Sequence, residues 1–224
     1  MQERAERTRN ALLTAAAAVF DRLGYERATL AEVSETAAVS RGALSFHFSN
    51  KSELADSVQS LACASSRDRM EALKRRDVPA LQTLIDMTHS AVQQLTDDPV
   101  TRAGIRLSVE RATPHDPSLH CRITWREAFR DTVQRAAADR SLRSGLVART
   151  VARLALSLVN GAYEAHTDDE RPAREWLSET WEILLPVLAD EDCAWPFSAH
   201  GTTDGTPTIP GQRNAERCSD THCE

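Results

Sequence analysis

Helix-start signals crowd the short stretch from Thr29 to Asn50, and a chain with that spacing cannot run a long helix or a strand through it. Thr29 followed by Glu32 fits a capping box, in which each side chain satisfies a free backbone N–H at the helix start. Ser40 offers a second cap, and Asn50 with Glu53 a third. Upstream, Leu12, Ala16, Val19, Phe20 and Leu23 recur with the period of an amphipathic helix, which Gly24 closes through a left-handed conformation. The spacing therefore predicts a first helix ending near Leu23, a two-turn helix from Leu30 to about Ala37, and a third from Ser40 to about Phe48. A long fourth helix follows to about Arg76. Two short helices joined by the tight Ala38-Val39-Ser40 connection form a helix-turn-helix pattern, one that short helices in other all-α proteins also produce.

Beyond Pro79 the helical signal continues over about 79–96, 99–111, 118–140, 146–166 and 172–188. The breaks fall at DDP (97–99), ATPHDP (112–117), RSG (143–145) and ERP (170–172). Strand alternation and internal repeats are absent, so the fold class is all-α. From Asp190 onward Gly, Pro, Thr and Ser dominate, a composition that buries too little apolar surface to offset the entropy of ordering. The expected organisation is an N-terminal three-helix domain over 1–50, a helical domain over 51–189 and a disordered tail over 190–224.

Charge narrows the function. The net charge of -6 gives no general affinity for nucleic acid, and Met1 to Ala55 balances seven Lys or Arg against seven Asp or Glu. Any DNA contact must therefore be local. Nothing approaches the roughly 20 apolar residues of a membrane span, and the charged start MQERAERTRN lacks a signal-peptide pattern. The chain reads as cytoplasmic, with no membrane partner, and its five scattered cysteines read as reduced thiols.

The helix after Ser40 is the recognition candidate. If Leu44 and Phe48 pack inward with help from Phe46, Arg41 and Ser45 share an outward face and Gly42 leaves room for a nucleic-acid backbone. An arginine at a helix start can make a bidentate contact to guanine, worth about 1–3 kcal/mol of discrimination. His47 and Lys51 flank the helix as candidate phosphate contacts, against the alternative that each is merely solvated. Arg4, Arg7 and Arg9 suggest a basic arm, interleaved with Glu3 and Glu6.

These residues carry a resemblance. The stretch "AAAAVFDRLGYERATLAEVSETAAVSRGALSFHFSNKSELA" resembles the DNA-binding domain of TetR-family transcriptional regulators. The F-x-x-x-G-Y, A-T, V-S-x-G-A-L and F-H-F-x-x-K-x-E-L elements stand in order. The resemblance implies a DNA-contact set of Thr29, Ser40, Arg41, Gly42, Ser45, His47 and Lys51. In it Thr29, His47 and Lys51 touch phosphate, and Arg41 takes the place of a base-reading residue that is often Lys. One position departs: Ser45 stands where the family usually has a phosphate-contacting tyrosine. The later "PVTRAGIRLSVER…ITWREAF" is similar, more loosely, to the γ-butyrolactone receptors of streptomycetes. That similarity implies that Trp125 lines a ligand pocket and that Asn160 contacts a lactone. Gln59 is a third ligand candidate, from the expected pocket side of the fourth helix.

The same two residues have plainer readings, Trp125 as a core aromatic and Asn160 as a core amide satisfied by protein or water. Two apolar stripes mark 146–166 (Val147, Val151, Leu154, Leu158 and Ala162; Leu156, Val159 and Tyr163), and 172–188 carries a similar pair. Helices apolar on two sides predict a homodimer joined through a four-helix bundle, the alternative being burial inside one monomer. No Gly-rich phosphate loop, H-E-x-x-H or C-x-x-C is present, and Cys218, His222 and Cys223 are too few for a structural zinc site. The reading is therefore a non-enzymatic, cofactor-free repressor that binds double-stranded operator DNA as a dimer and leaves it on binding a small effector of the butyrolactone type. The alternatives are a regulator of the same fold that senses an antibiotic or drug, and a helical ligand-binding protein or enzyme without DNA binding.

Overall fold

The computed structural model of the chain describes residues 2–111, 119–168 and 172–202. Among them the secondary structure is helical, with one isolated antiparallel bridge between Leu142 and Ala189. In chain order the helices are α1 (Gln2–Arg27), α2 (Leu30–Thr36), α3 (Arg41–His47), α4 (Lys51–Lys74) and α5 (Ala80–Asp97). They continue with α6 (Pro99–Glu110), α7 (Cys121–Ala138), α8 (Ala148–Asp168) and α9 (Ala173–Leu188). The all-α expectation holds, and the predicted breaks separate the observed helices. No helix of the described residues is long and apolar enough to cross a membrane.

Two compact units divide the chain: Met1–Ala72 with Ser90–Arg130, and Leu73–His89 with Asp131–Glu224. They cut across the linear division at residue 50. The core of the first unit joins Leu12, Ala16, Val19 and Phe20 of α1 to Val33, Leu44, Phe48, Leu54 and Val58, and then to Ala103 and Leu107 of α6. The α1 periodicity thus faces the neighbours it predicts. At Gly24 the helix breaks with φ 76° and ψ 175°, and a Cβ there would stand 2.6 Å from the Glu110 carboxylate. That carboxylate accepts a bond from the Tyr25 N–H at 2.6 Å, a second reason why only glycine suits the break. At Gly104 a Cβ would stand 2.6 Å from that of Ala62, so this glycine lets α6 approach α4.

Two expectations at the N-terminus change. The Arg4–Arg9 stretch is the first part of α1 and not an arm: Arg7 pairs with Glu3 one turn back at 3.0 Å, and the Arg9 guanidinium lies over the Phe48 ring. Phe46 is 80% exposed, not packed with Leu44 and Phe48. Two residues along a helix is a rotation of about 200°, which carries Phe46 to the face opposite Leu44.

In the second unit α8 and α9 pack together. Val151, Leu158, Val159 and Ala162 of α8 are buried, as are Leu177, Trp181 and Leu188 of α9, and Trp181 Nε1 donates to Thr88 Oγ1 at 2.9 Å. Val147, at the start of the first predicted stripe of 146–166, and Ile183 and Val187 of α9 remain exposed, whereas Val159 of the second stripe of α8 is buried.

The segment expected to begin the disordered tail departs most from its composition. Residues 190–202 pack on α5, whereas 203–224 lie outside the described residues, along with Cys218, His222 and Cys223. Gln82 exchanges two hydrogen bonds with the Ser198 backbone, and Asp86 accepts from the Thr202 N–H at 2.8 Å. Arg76 bridges Asp86 at 2.8 Å and also donates to the Thr202 carbonyl at 3.0 Å. The order comes from pairing buried polar groups, which composition does not display.

His89 completes this attachment. Its Nε2 lies 2.8 Å from the Ala199 carbonyl, which assigns the proton to Nε2 and leaves Nδ1 a buried acceptor without a partner among the described residues. Burial, the largest influence, pushes its pKa from the ordinary 6.5 down to about 4, against the Ala199 bond, which raises it. A folded-state value below the unfolded one means that the unfolded chain takes up the proton first as pH falls. Stability from this group is thus complete above about pH 6.5 and is lost toward pH 4, by about 3 kcal/mol. Urea unfolding of the parent and of His89→Gln across that range checks this, the variant showing the shallower decline.

Candidate nucleic-acid interface and effector site

The two short helices α2 and α3 are built by local rules. Thr29 and Glu32 form the predicted reciprocal capping box: Thr29 Oγ1 accepts from the Glu32 N–H at 3.2 Å, and Glu32 Oε2 accepts from the Thr29 N–H at 3.0 Å. At the end of α2 the Ala38 N–H donates to the Glu35 carbonyl and the Val39 N–H to that of Ser34, the paired bonds of a Schellman turn. Its left-handed position is Ala38, with φ 52°, where glycine is usual. An alanine there costs roughly 1 kcal/mol, so the turn is held by its surroundings and not by backbone preference. Ser40 Oγ then accepts from the Ala43 N–H at 3.2 Å and starts α3.

Leu44 of α3 and Phe48, its C-cap, are buried, while Arg41, Gly42, Ser45 and Phe46 lie exposed. Arg41 and Ser45 thus share the predicted outward face, and among the described residues Arg41 makes no ion pair or hydrogen bond. A guanidinium left unpaired at the start of an exposed helix keeps its five donors for an outside acceptor. Phe46 joins the same surface, its ring meeting that of His47 edge-on at 5.2 Å. The sequence reading missed it by assigning it to the core.

Two expected phosphate contacts are already engaged. Thr29 Oγ1 both accepts from Glu32 and donates to its carboxylate at 2.8 Å. Lys51 departs furthest from its expected role. Its Nζ donates to the carbonyls of Tyr25 at 2.8 Å, Glu26 at 3.2 Å and Ala28 at 3.2 Å, and lies 4.5 Å from the Tyr25 ring centroid. An ammonium has three donors, so none remains for a phosphate. Lys51 instead satisfies carbonyls where α1 ends. Beside it, Glu53 accepts from the Ser49 N–H at 2.8 Å, and that bond holds its carboxyl below the usual range.

The three ligand candidates meet different fates. Gln59 is buried with both ends of its amide bound by protein: Oε1 accepts from Arg111 at 2.7 Å and Nε2 donates to the Leu119 carbonyl at 3.2 Å. It is part of the framework. Asn160, on α8, is half-buried and has a partner, so its surroundings do not demand a ligand. Trp125, on α7, is fully buried, and its indole N–H has no acceptor among the described residues. Asn160 belongs to the second unit and Trp125 to the first.

Comparison with known proteins agrees with this geometry. The family described as bacterial regulatory proteins, tetR family, matches residues 12–58, from α1 to the first turns of α4. A γ-butyrolactone receptor of known structure, described as an ArpA-like protein, superposes with a TM-score of 0.71 at 31% identity, over 83% of this chain and 90% of that one. The chain belongs to the TetR family. The TetR-family protein CprB from Streptomyces coelicolor, solved in complex with its biological operator sequence, is 32% identical over 84% of this chain and 91% of that one, with a TM-score of 0.68. The A-factor receptor protein of Streptomyces griseus is 28% identical over 205 residues, which is 91% of this chain and 71% of the relative.

The two cations are separable by experiment. Arg41→Ala is expected to weaken binding to the duplex that the parent selects from random DNA by about 1–3 kcal/mol and to relax preference at one base position. Lys51→Met is expected to lower unfolding stability by about 2 kcal/mol while leaving the salt dependence of DNA binding unchanged. A slope reduced by about one released ion would return Lys51 to the phosphate contacts.

Proposed function

We propose that this TetR-family regulator is a homodimeric repressor whose effector is a small lactone of the γ-butyrolactone type, taken up at Trp125. The supporting observation is the orphaned indole N–H. A buried donor without an acceptor costs about 1–3 kcal/mol, so native interiors rarely keep one. A lactone carbonyl supplies the missing acceptor. The similarity to γ-butyrolactone receptors points to the same chemistry. Protein-bound Gln59 is left out of this ligand set.

Dimerisation follows from the exposed Ile183 and Val187 on α9 and Val147 just before α8, apolar groups that a second copy would cover. Two α3 helices, one per subunit, would then meet successive major grooves, with Arg41, Gly42, Ser45 and His47 facing DNA and Ser40 and Thr29 holding the helix starts. The shorter Ser45 cannot fill the space of a tyrosine, so exposed Phe46 takes the aromatic part of the surface. Release requires the lactone to bind the DNA-free form more tightly than the DNA-bound form.

The test adds 2-acyl-γ-butyrolactones, butenolides, furans and antibiotics separately to the protein–operator complex. Release by the lactones is expected, and release by antibiotics alone would reject a lactone effector. Trp125→Phe keeps the aromatic packing and removes only the donor. It is expected to weaken the lactone response by about 1 kcal/mol, near fivefold, at unchanged operator affinity.

A further inference from the structure

Arg111 belongs to neither the DNA-contact set nor the ligand set, yet its side chain is only 5% exposed. It is the C-cap residue of α6. Its Nη1 donates to Asp56 Oδ1 and Gln59 Oε1, both at 2.7 Å, and its Nη2 to Ser52 Oγ at 2.8 Å. Residues 52, 56 and 59 are spaced by four and three, so one guanidinium grips successive turns on one face of α4. Through the other end of its amide, Gln59 holds the Leu119 carbonyl, two residues before α7 begins at Cys121 and six before Trp125. The Arg111 guanidinium also lies 5.0 Å from the ring centroid of Tyr25, the residue whose carbonyl Lys51 holds.

These contacts all lie within the first unit and run from the start of α7 to α4, the helix that follows α3, and to Tyr25 near the end of α1. The geometry points to Arg111, acting through Gln59, as the positioning residue that couples the Leu119–Trp125 end of α7 to α4. A guanidinium this buried does not slide gradually. Losing an acceptor strands a buried charge, so it is either docked on α4 or displaced as a whole. Coupling between distant sites needs such an element with discrete arrangements. The inference rests on the reading of the chain as an effector-released DNA-binding protein, but its first test does not use an effector.

Coupling is reciprocal: if changes at α7 alter operator affinity, operator binding must alter α7. Hydrogen exchange of the full chain is therefore followed with and without its selected duplex. In the parent, the operator is expected to change protection over residues 121–130 by about tenfold. Arg111→Met and Gln59→Met are each expected to remove that change while still binding the duplex. Gln59→Met leaves Arg111 its Asp56 and Ser52 partners, so the test stands even if Arg111→Met fails to fold. A merely structural role would lower stability and leave the operator-induced change intact, and that result overturns the coupling. The second arm measures release by 2-acyl-γ-butyrolactones, with each variant retaining less than about a third of the parent's response. If no lactone releases the parent, the lactone reading fails and the exchange arm alone decides the coupling.

Discussion

The Lys51 ammonium satisfies the frayed end of α1, and the DNA-reading domain depends on that contact. A helix end leaves carbonyls without intrahelical partners, and the break at Gly24 comes just before this one. Lys51 is the first residue of α4, and by holding the Tyr25, Glu26 and Ala28 carbonyls it ties the start of that helix to the entry into α2. Glu110, from the end of α6, takes the Tyr25 N–H, while Arg106 holds the Asp21 carbonyl at 2.7 Å. Tyr25 is thus fixed by its N–H, its carbonyl and its ring, and α1, α4 and α6 meet there. The short helices α2 and α3 bury few side chains of their own, so their placement depends on this junction.

Local chemistry was legible in the sequence, and long-range pairing was not. The Thr29–Glu32 box, the Ser40 cap and the Asn50–Glu53 start of α4 obey rules that span three or four residues, and each appears where it was expected. Phe46 was misplaced because hydrophobicity was allowed to outweigh helical phase. The Lys51 clamp was not legible because its partners lie 23 to 26 residues away, and nothing in a lone lysine distinguishes a carbonyl clamp from a phosphate anchor. The 190–202 segment was misjudged because average composition cannot show that Ser198 and Thr202 match Gln82 and Asp86. For Gln59 burial was anticipated, but its partners at residues 111 and 119 were not.

The polar interior of the first unit divides by satisfaction. Arg111, Gln59, Ser66 and Gln94 are buried and hydrogen-bonded, the last two to each other at 2.6 Å, so they rigidify the framework around them. Among the described residues of that unit Trp125 is the exception, and its unsatisfied buried donor is the feature that favours an incoming acceptor. On the surface the contrast runs the other way. Arg41 is left unpaired on a chain whose net charge is negative, so its attraction for DNA is local and directional.

The central claim is that this chain reads DNA sequence through a pair of α3 helices related by two-fold symmetry. Selection of duplexes from a random pool by the full-length protein tests it most directly. Enrichment of a pseudo-palindrome whose half-sites lie about one helical turn apart, or a multiple of it, is expected. Enrichment of an asymmetric site, or of none above non-specific binding, would contradict it.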